Sequence, residues 1–117
     1  GAIVLSDDRI VVRPGPDGTW EMHGTPWHGA AELAANVRAE VAGIYVLGRG
    51  DETVASPLRR TPAVVALLAR SFPPFHAPGA MDGVLELLDR LVRDVPVERL
   101  EVRPGPGAIE TVLSFGR

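Results

Sequence analysis

The sequence predicts an α/β protein: a mixed, largely antiparallel sheet with about three helices packed mainly on one face. Three observations carry that expectation. Short β-branched runs come first, at residues 3–5 and 10–13; a continuous apolar run at 41–47 is bounded by Gly48 and Gly50; and residues 81–95 repeat apolar side chains at helical spacing. The order, strands first and then helices interleaved with strands, is what a sheet covered by helices requires.

Between the first two runs, Ser6, Asp7, Asp8 and Arg9 read as a tight connection. Pro14, Gly15, Pro16, Asp17 and Gly18 then force a turn, because proline fixes φ and glycine admits positive φ, and a partner strand follows at 19–23. Residues 12–16 recur letter for letter as 102–106, which reads as two strand exits each followed by a turn. Residues 25–29 are loop-like, and 30–36 are a short helical turn or irregular chain. The 41–47 run suits a strand buried on both faces.

Thr61 before Pro62 predicts a helix start, the threonine oxygen capping free amides while proline occupies the first turn. Val64, Val65, Leu67 and Leu68 supply its apolar face. Pro73, Pro74 and Pro78 forbid continuation, so 72–78 is expected to be a rigid connection. In the clearest helix, 81–95, Val84, Leu87, Leu88, Leu91 and Val92 oppose Asp82, Glu86, Asp89, Arg90 and Arg93. Val97, Leu100 and Val102 suggest a strand ending at Pro104, and Ile109, Val112 and Leu113 a last short helix.

A chain of 117 residues is expected to form one domain over 1–117 around one core. Its 45% apolar and 23% charged residues are globular proportions, and no apolar run approaches the ~20 residues of a membrane span, so the expectation is a soluble protein with no membrane partner. The opening residues lack the charged and apolar regions of a secretory signal, which makes the cytoplasm the default setting. With no cysteine, thiolate catalysis, disulfides and cysteine-bound zinc are excluded. All 12 basic residues are arginine, so lysine Schiff bases and a Walker A lysine are excluded too. A net charge of -3 and pI near 5.5 disfavour nucleic acid as a partner.

Two adjacent aspartates in a short turn would sit at the mouth of a sheet. Their repulsion should raise the pKa of at least one unless a cation is near. One carboxylate could accept a hydroxyl proton while its neighbour holds Mg²⁺, the division of labour that phosphoryl transfer uses. Turn aspartates are far commoner than catalytic ones, and on the residue pattern alone the pair reads first as ordinary turn chemistry, its side chains bonding local amides.

Residues 3–12, with Ser6, Asp7, Asp8 and Arg9 at their centre, resemble the segment that follows the P-loop helix in HPr kinase/phosphorylases and their relatives, which share a nucleotide-binding core with phosphoenolpyruvate carboxykinases. His23-Gly24-Thr25-Pro26-Trp27-His28-Gly29, then Asn36, then Ala42-Gly43-Ile44-Tyr45-Val46-Leu47, resemble the Gly-Thr-Pro-aromatic stretch and following strand of that family. The match spans nearly the whole chain and rests on order and spacing. It implies a partial P-loop-kinase core of the HPr kinase C-terminal kind, with ATP and Mg²⁺ as cofactors and a small protein or peptide carrying an acceptor serine as substrate. Lasso-peptide precursors are among the substrates of related kinases. The resemblance makes Asp7 the proton acceptor and places Asp8 beside metal and phosphates, with Arg9 neutralising them or contacting phosphate. His23, Thr25 and Asn36 fall at the rim of such a site. The family's Gly-rich loop and lysine have no counterpart in these residues, so the chain alone is expected to be inactive. Apolar surface left uncovered by a missing strand and helix makes self-association an expectation.

The rival expectation is a non-catalytic module, derived from such a kinase, that binds a peptide or partner through an exposed sheet edge. Weaker signals point nowhere in particular. His23 and His28 with Glu21 and Glu32 lack helical metal-ligand spacing, Arg49-Gly50-Asp51 reads as a turn, and Ser6 has no identifiable triad partners.

Overall fold

The computed structural model describes residues 3–71 and 78–115. It is an α/β structure with two three-stranded sheets and three α-helices among the described residues. Its contacts divide the chain into two compact units, Gly1–Ala42 and Gly43–Arg117. The described strands thus form two three-stranded sheets where the sequence suggested one.

The first unit holds an antiparallel sheet in the order β1 (Ile10–Pro14), β2 (Trp20–Gly24), β3 (Arg38–Glu40). The predicted turn joins β1 to β2: Asp17 and Gly18 take φ of 55° and 76°, and Thr19 returns its N–H to the Pro16 carbonyl at 3.0 Å. Aspartate and glycine tolerate that left-handed backbone where most residues do not. Register pairs Ile10 with Gly24, Val12 with Met22, and His23 with both Val11 and Arg38. Residues 3–5 form no strand; only Ser6 bridges, to Ala34. Residues 30–36 are irregular, one of the two outcomes expected there.

The second unit holds a mixed sheet in the order β4 (Ile44–Arg49), β6 (Val97–Val102), β5 (Val54–Pro57). Strands β4 and β6 are parallel, and β5 and β6 antiparallel. The chain between β5 and β6 carries α1 (Arg60–Ala69) and α2 (Ala80–Asp94), which pack on each other; α3 (Ala108–Phe115) follows β6. Val46, Ala63 and Val97 are the buried centre, with Ile44, Leu58, Ala66, Leu67 and Val92 against them. Two helices therefore cover one face of this sheet, and β6, between its neighbours, buries Val97 and Leu100.

Several local expectations change. The predicted doubly buried strand at 41–47 lies at 44–49 and on an edge, so Leu47 is 67% exposed. Thr61 does not cap α1: Arg59 is the boundary residue, extended at φ -68° and ψ 162°, and makes no side-chain cap, which puts Thr61 inside the first turn with Pro62. The face of α1 is carried by Ala63, its only buried residue, while Val65 is 60% exposed. Helix α2 follows expectation, with Leu88 and Leu91 buried, Asp82 in its first turn and Arg93 in its last, where the helix dipole favours each charge. The expected rigid connection at 72–78 lies, but for Pro78, outside the described residues.

Candidate functional site

The acidic turn and the Thr-Pro-Trp loop are both in the first unit, and polar contacts fasten them together. Ser6 organises the turn: its Oγ accepts the amides of Asp8 and Arg9, both at 3.1 Å, and donates to the Trp27 carbonyl at 2.8 Å. Thr25, buried beside β2, donates its hydroxyl to the Arg9 carbonyl at 2.6 Å. Backbone bonds continue the seam, from Asp7 N–H to the Leu33 carbonyl at 3.1 Å and from Ala35 N–H to the Leu5 carbonyl at 2.8 Å.

Asp7 is the centre of this seam. Its Oδ1 accepts the amides of Gly29 at 2.6 Å and Leu33 at 3.3 Å, and its Oδ2 accepts that of Ala31 at 2.8 Å. Gly29 permits the approach, because a Cβ at that residue would lie 3.0 Å from Oδ2. The Gly29 amide does most to hold the Asp7 carboxyl below the usual carboxylate range; desolvation pushes the other way, and the amides of Ala31, Asp7 itself and Leu33 add to the lowering. The upward push expected from Asp8 is not what this carboxyl experiences: N–H donors, not the neighbouring charge, set its state. The hydrogen bonds to Gly29, Ala31 and Leu33 reach 22 to 26 residues along the chain, where turn chemistry alone would have used local amides.

Asp8 and Arg9 point elsewhere. They form an ion pair at 3.4 Å, each side chain about half exposed (48% and 46%), a pairing that water screens strongly. His23 on β2 places Nε2 3.4 Å from Glu21 Oε1, without hydrogen-bond geometry, and that nitrogen is buried. Glu21 also lies 4.0 Å from Arg13. Thr25 and Asn36 do come together, lining an open depression of about 390 Å³ with Gly24, Pro26, Ala34 and Ala35. Asp7, Asp8, Arg9 and His23 do not line it. Trp27 next to it is 60% exposed rather than packed into a core.

Among the described residues no three His, Asp or Glu side chains gather as a metal centre. The residues present therefore do not by themselves fit Mg-ATP: the chain has no lysine, and the described residues gather no three-ligand metal group. No helix among the described residues is long and apolar enough to cross a membrane. What sequence reasoning missed is the donor side of the site. Backbone amides carry no side-chain signature, and Gly29, opposite an acidic turn, was the one visible sign of a close approach.

No family model, no curated protein and no solved structure matches the chain.

Proposed function

We propose that the chain is part of an ATP-dependent protein or peptide serine kinase of the HPr-kinase-like kind, carrying its acidic turn and unable to transfer phosphate alone. The observation that carries this reading is the Asp7 clasp: the two segments on which the resemblance rests, the acidic turn at 6–9 and the loop at 25–29, lie against each other through Gly29 and Ser6. Any ATP phosphates must be held by residues other than these. Within this arrangement Asp8 is a half-exposed carboxylate paired with Arg9. Asp7 is a weakened base for a hydroxyl proton, since amide donors lower its basicity and occupy most of its lone pairs.

Calorimetry of these 117 residues with Mg-ATP should show no tight binding, and tight binding would overturn the need for an outside cradle. In a longer form that phosphorylates a peptide, Asp7→Asn should lower turnover on the order of 10²-fold or more. Unchanged turnover removes Asp7 from the reaction.

One observation favours the non-catalytic reading. Strand β1 is an edge of its sheet with Ile10 and Val11 45% and 49% exposed, a surface suited to adding a peptide strand. A longer form that holds Mg-ATP yet phosphorylates no peptide, while peptide binding shifts β1 amides, decides for it.

A further inference from the structure

The amides of Gly29, Ala31 and Leu33 converge on one point, occupied by the Asp7 carboxylate at 2.6, 2.8 and 3.3 Å. Between the second and third of them Glu32 adopts φ of 55°. A reversal of backbone hand of this sort gathers nearby N–H groups into an anion-binding hollow. We propose that residues 29–33 form an oxyanion nest whose resident ligand is the chain's own Asp7 carboxylate, and that a free planar carboxylate fills it when this side chain is removed.

Three features support the nest as a site in its own right. All three donors are backbone groups, so they select charge and shape and not a particular partner side chain. The loop is also anchored without the carboxylate, by the Asp7 amide on the Leu33 carbonyl, the Ala35 amide on the Leu5 carbonyl and Ser6 Oγ on the Trp27 carbonyl, so an emptied nest keeps its shape. Its donors address two oxygens in one plane, and the Gly29 Cα hydrogens face Oδ2 closely enough that a Cβ would stand at 3.0 Å. A carboxylate meets those limits better than a tetrahedral phosphate, whose further oxygens would find no amide. In the intact chain the tethered Asp7 acts at high effective concentration and keeps free anions out. The nest follows directly on the loop that carries exposed Trp27.

The test is amide-resolved NMR of Asp7→Gly in the full chain, titrated with sodium formate against sodium chloride at matched ionic strength. Formate, at concentrations on the order of 100 mM, should move the Gly29, Ala31 and Leu33 resonances saturably toward their wild-type positions and leave those of β1 and β2 in place. Formate acting no differently from chloride overturns the proposal, as does inorganic phosphate producing the larger return. Should the variant not fold, acid titration of the wild-type chain serves: the three amides must move together with one midpoint below the ordinary carboxyl range. Three separate midpoints, or no movement, overturn the nest equally.

Discussion

The two units of the chain hold their shape by different means. In Gly43–Arg117, buried apolar residues dominate: Val46, Ala63, Leu88, Leu91, Val95, Val97 and Leu100 come from a sheet, two helices and the end of α2. In Gly1–Ala42 the buried apolar residues among those described are Trp20 and Val41, and the irregular stretch from 25 to 35 is fastened mainly by hydrogen bonds to the acidic turn. Burial is non-directional and tolerates any apolar filler of the right volume. A carboxylate holding three amides is directional and admits few substitutes. The contrast teaches that the chemically interesting segment is also the one whose geometry depends on a handful of polar atoms.

The largest effects should come from the buried side chains on which each unit depends. Leu100, 2% exposed on central β6, should cost about 2–5 kcal/mol as Leu100→Ala, and Trp20, 1% exposed, about 3–5 kcal/mol as Trp20→Ala. Denaturant titration followed by amide NMR tests the division as well as the size. If the units are separate in stability, Trp20→Ala lowers protection at 10–24 before it lowers it at 97–102. Equal loss in both would break the comparison and make the chain one cooperative body.

A smaller but more pointed effect is expected at Gly24. A Cβ there would stand 1.7 Å from the Ala35 carbonyl oxygen and 3.0 Å from that of Leu5, backbone atoms that cannot rotate away. Gly24→Ala should therefore push the 34–36 stretch off β2 and cost about 1–3 kcal/mol, in the range of other overpacked sites. Its signature is local: the Gly24 amide, bonded at 3.0 Å to the Val37 carbonyl, should gain fast hydrogen exchange while α2 keeps its protection. Unchanged exchange at Gly24 would show that the loop yields freely and that polar fastening matters less than argued.

How far the sequence announced this structure follows the same divide. Helix α2 was legible to within a residue because Leu88 and Leu91 recur at helical spacing over fifteen residues, and the repeated strand exits at 12–16 and 102–106 are where β1 and β6 end. Strands β3 and β5 were not foreseen. Arg38, Ala39 and Glu40 are all exposed, and β5 ends in Pro57 on a sheet edge, so neither carries an apolar alternation to read. The 41–47 run misled in register because apolar content does not distinguish a central strand from an edge, and Leu47 spends its side chain on solvent. At the site, Asp7, Thr25 and Asn36 were visible as residues. Which amides Asp7 holds was not, since that depends on a fold that brings residue 29 to residue 7.

The smallest effects separate the two kinds of polar fastening. Asp7 in the first unit and Asp89 in the second both have carboxyls held below the usual range, Asp7 chiefly by the Gly29 amide and Asp89 chiefly by hydrogen bonds from Arg60, which joins α1 to α2 through a two-pronged contact. A depressed folded-state pKa gives stability that is present above the unfolded value, about 3.9, and lost as pH falls through the folded one. Both contacts should therefore weaken only at strongly acid pH, and neither changes between pH 5 and 8. Salt distinguishes them. The Arg60–Asp89 pair, with Arg93 3.9 Å away, lies on an exposed surface and is screened by about 1 M salt, whereas the neutral amides around Asp7 have no second charge to screen. Raising salt at neutral pH should thus shorten hydrogen-exchange protection at the start of α1 slightly and leave the Asp7-bound amides where they were. A salt-induced shift at Gly29, Ala31 and Leu33 larger than any change in α1 would mean that the clasp is held by charge pairing after all.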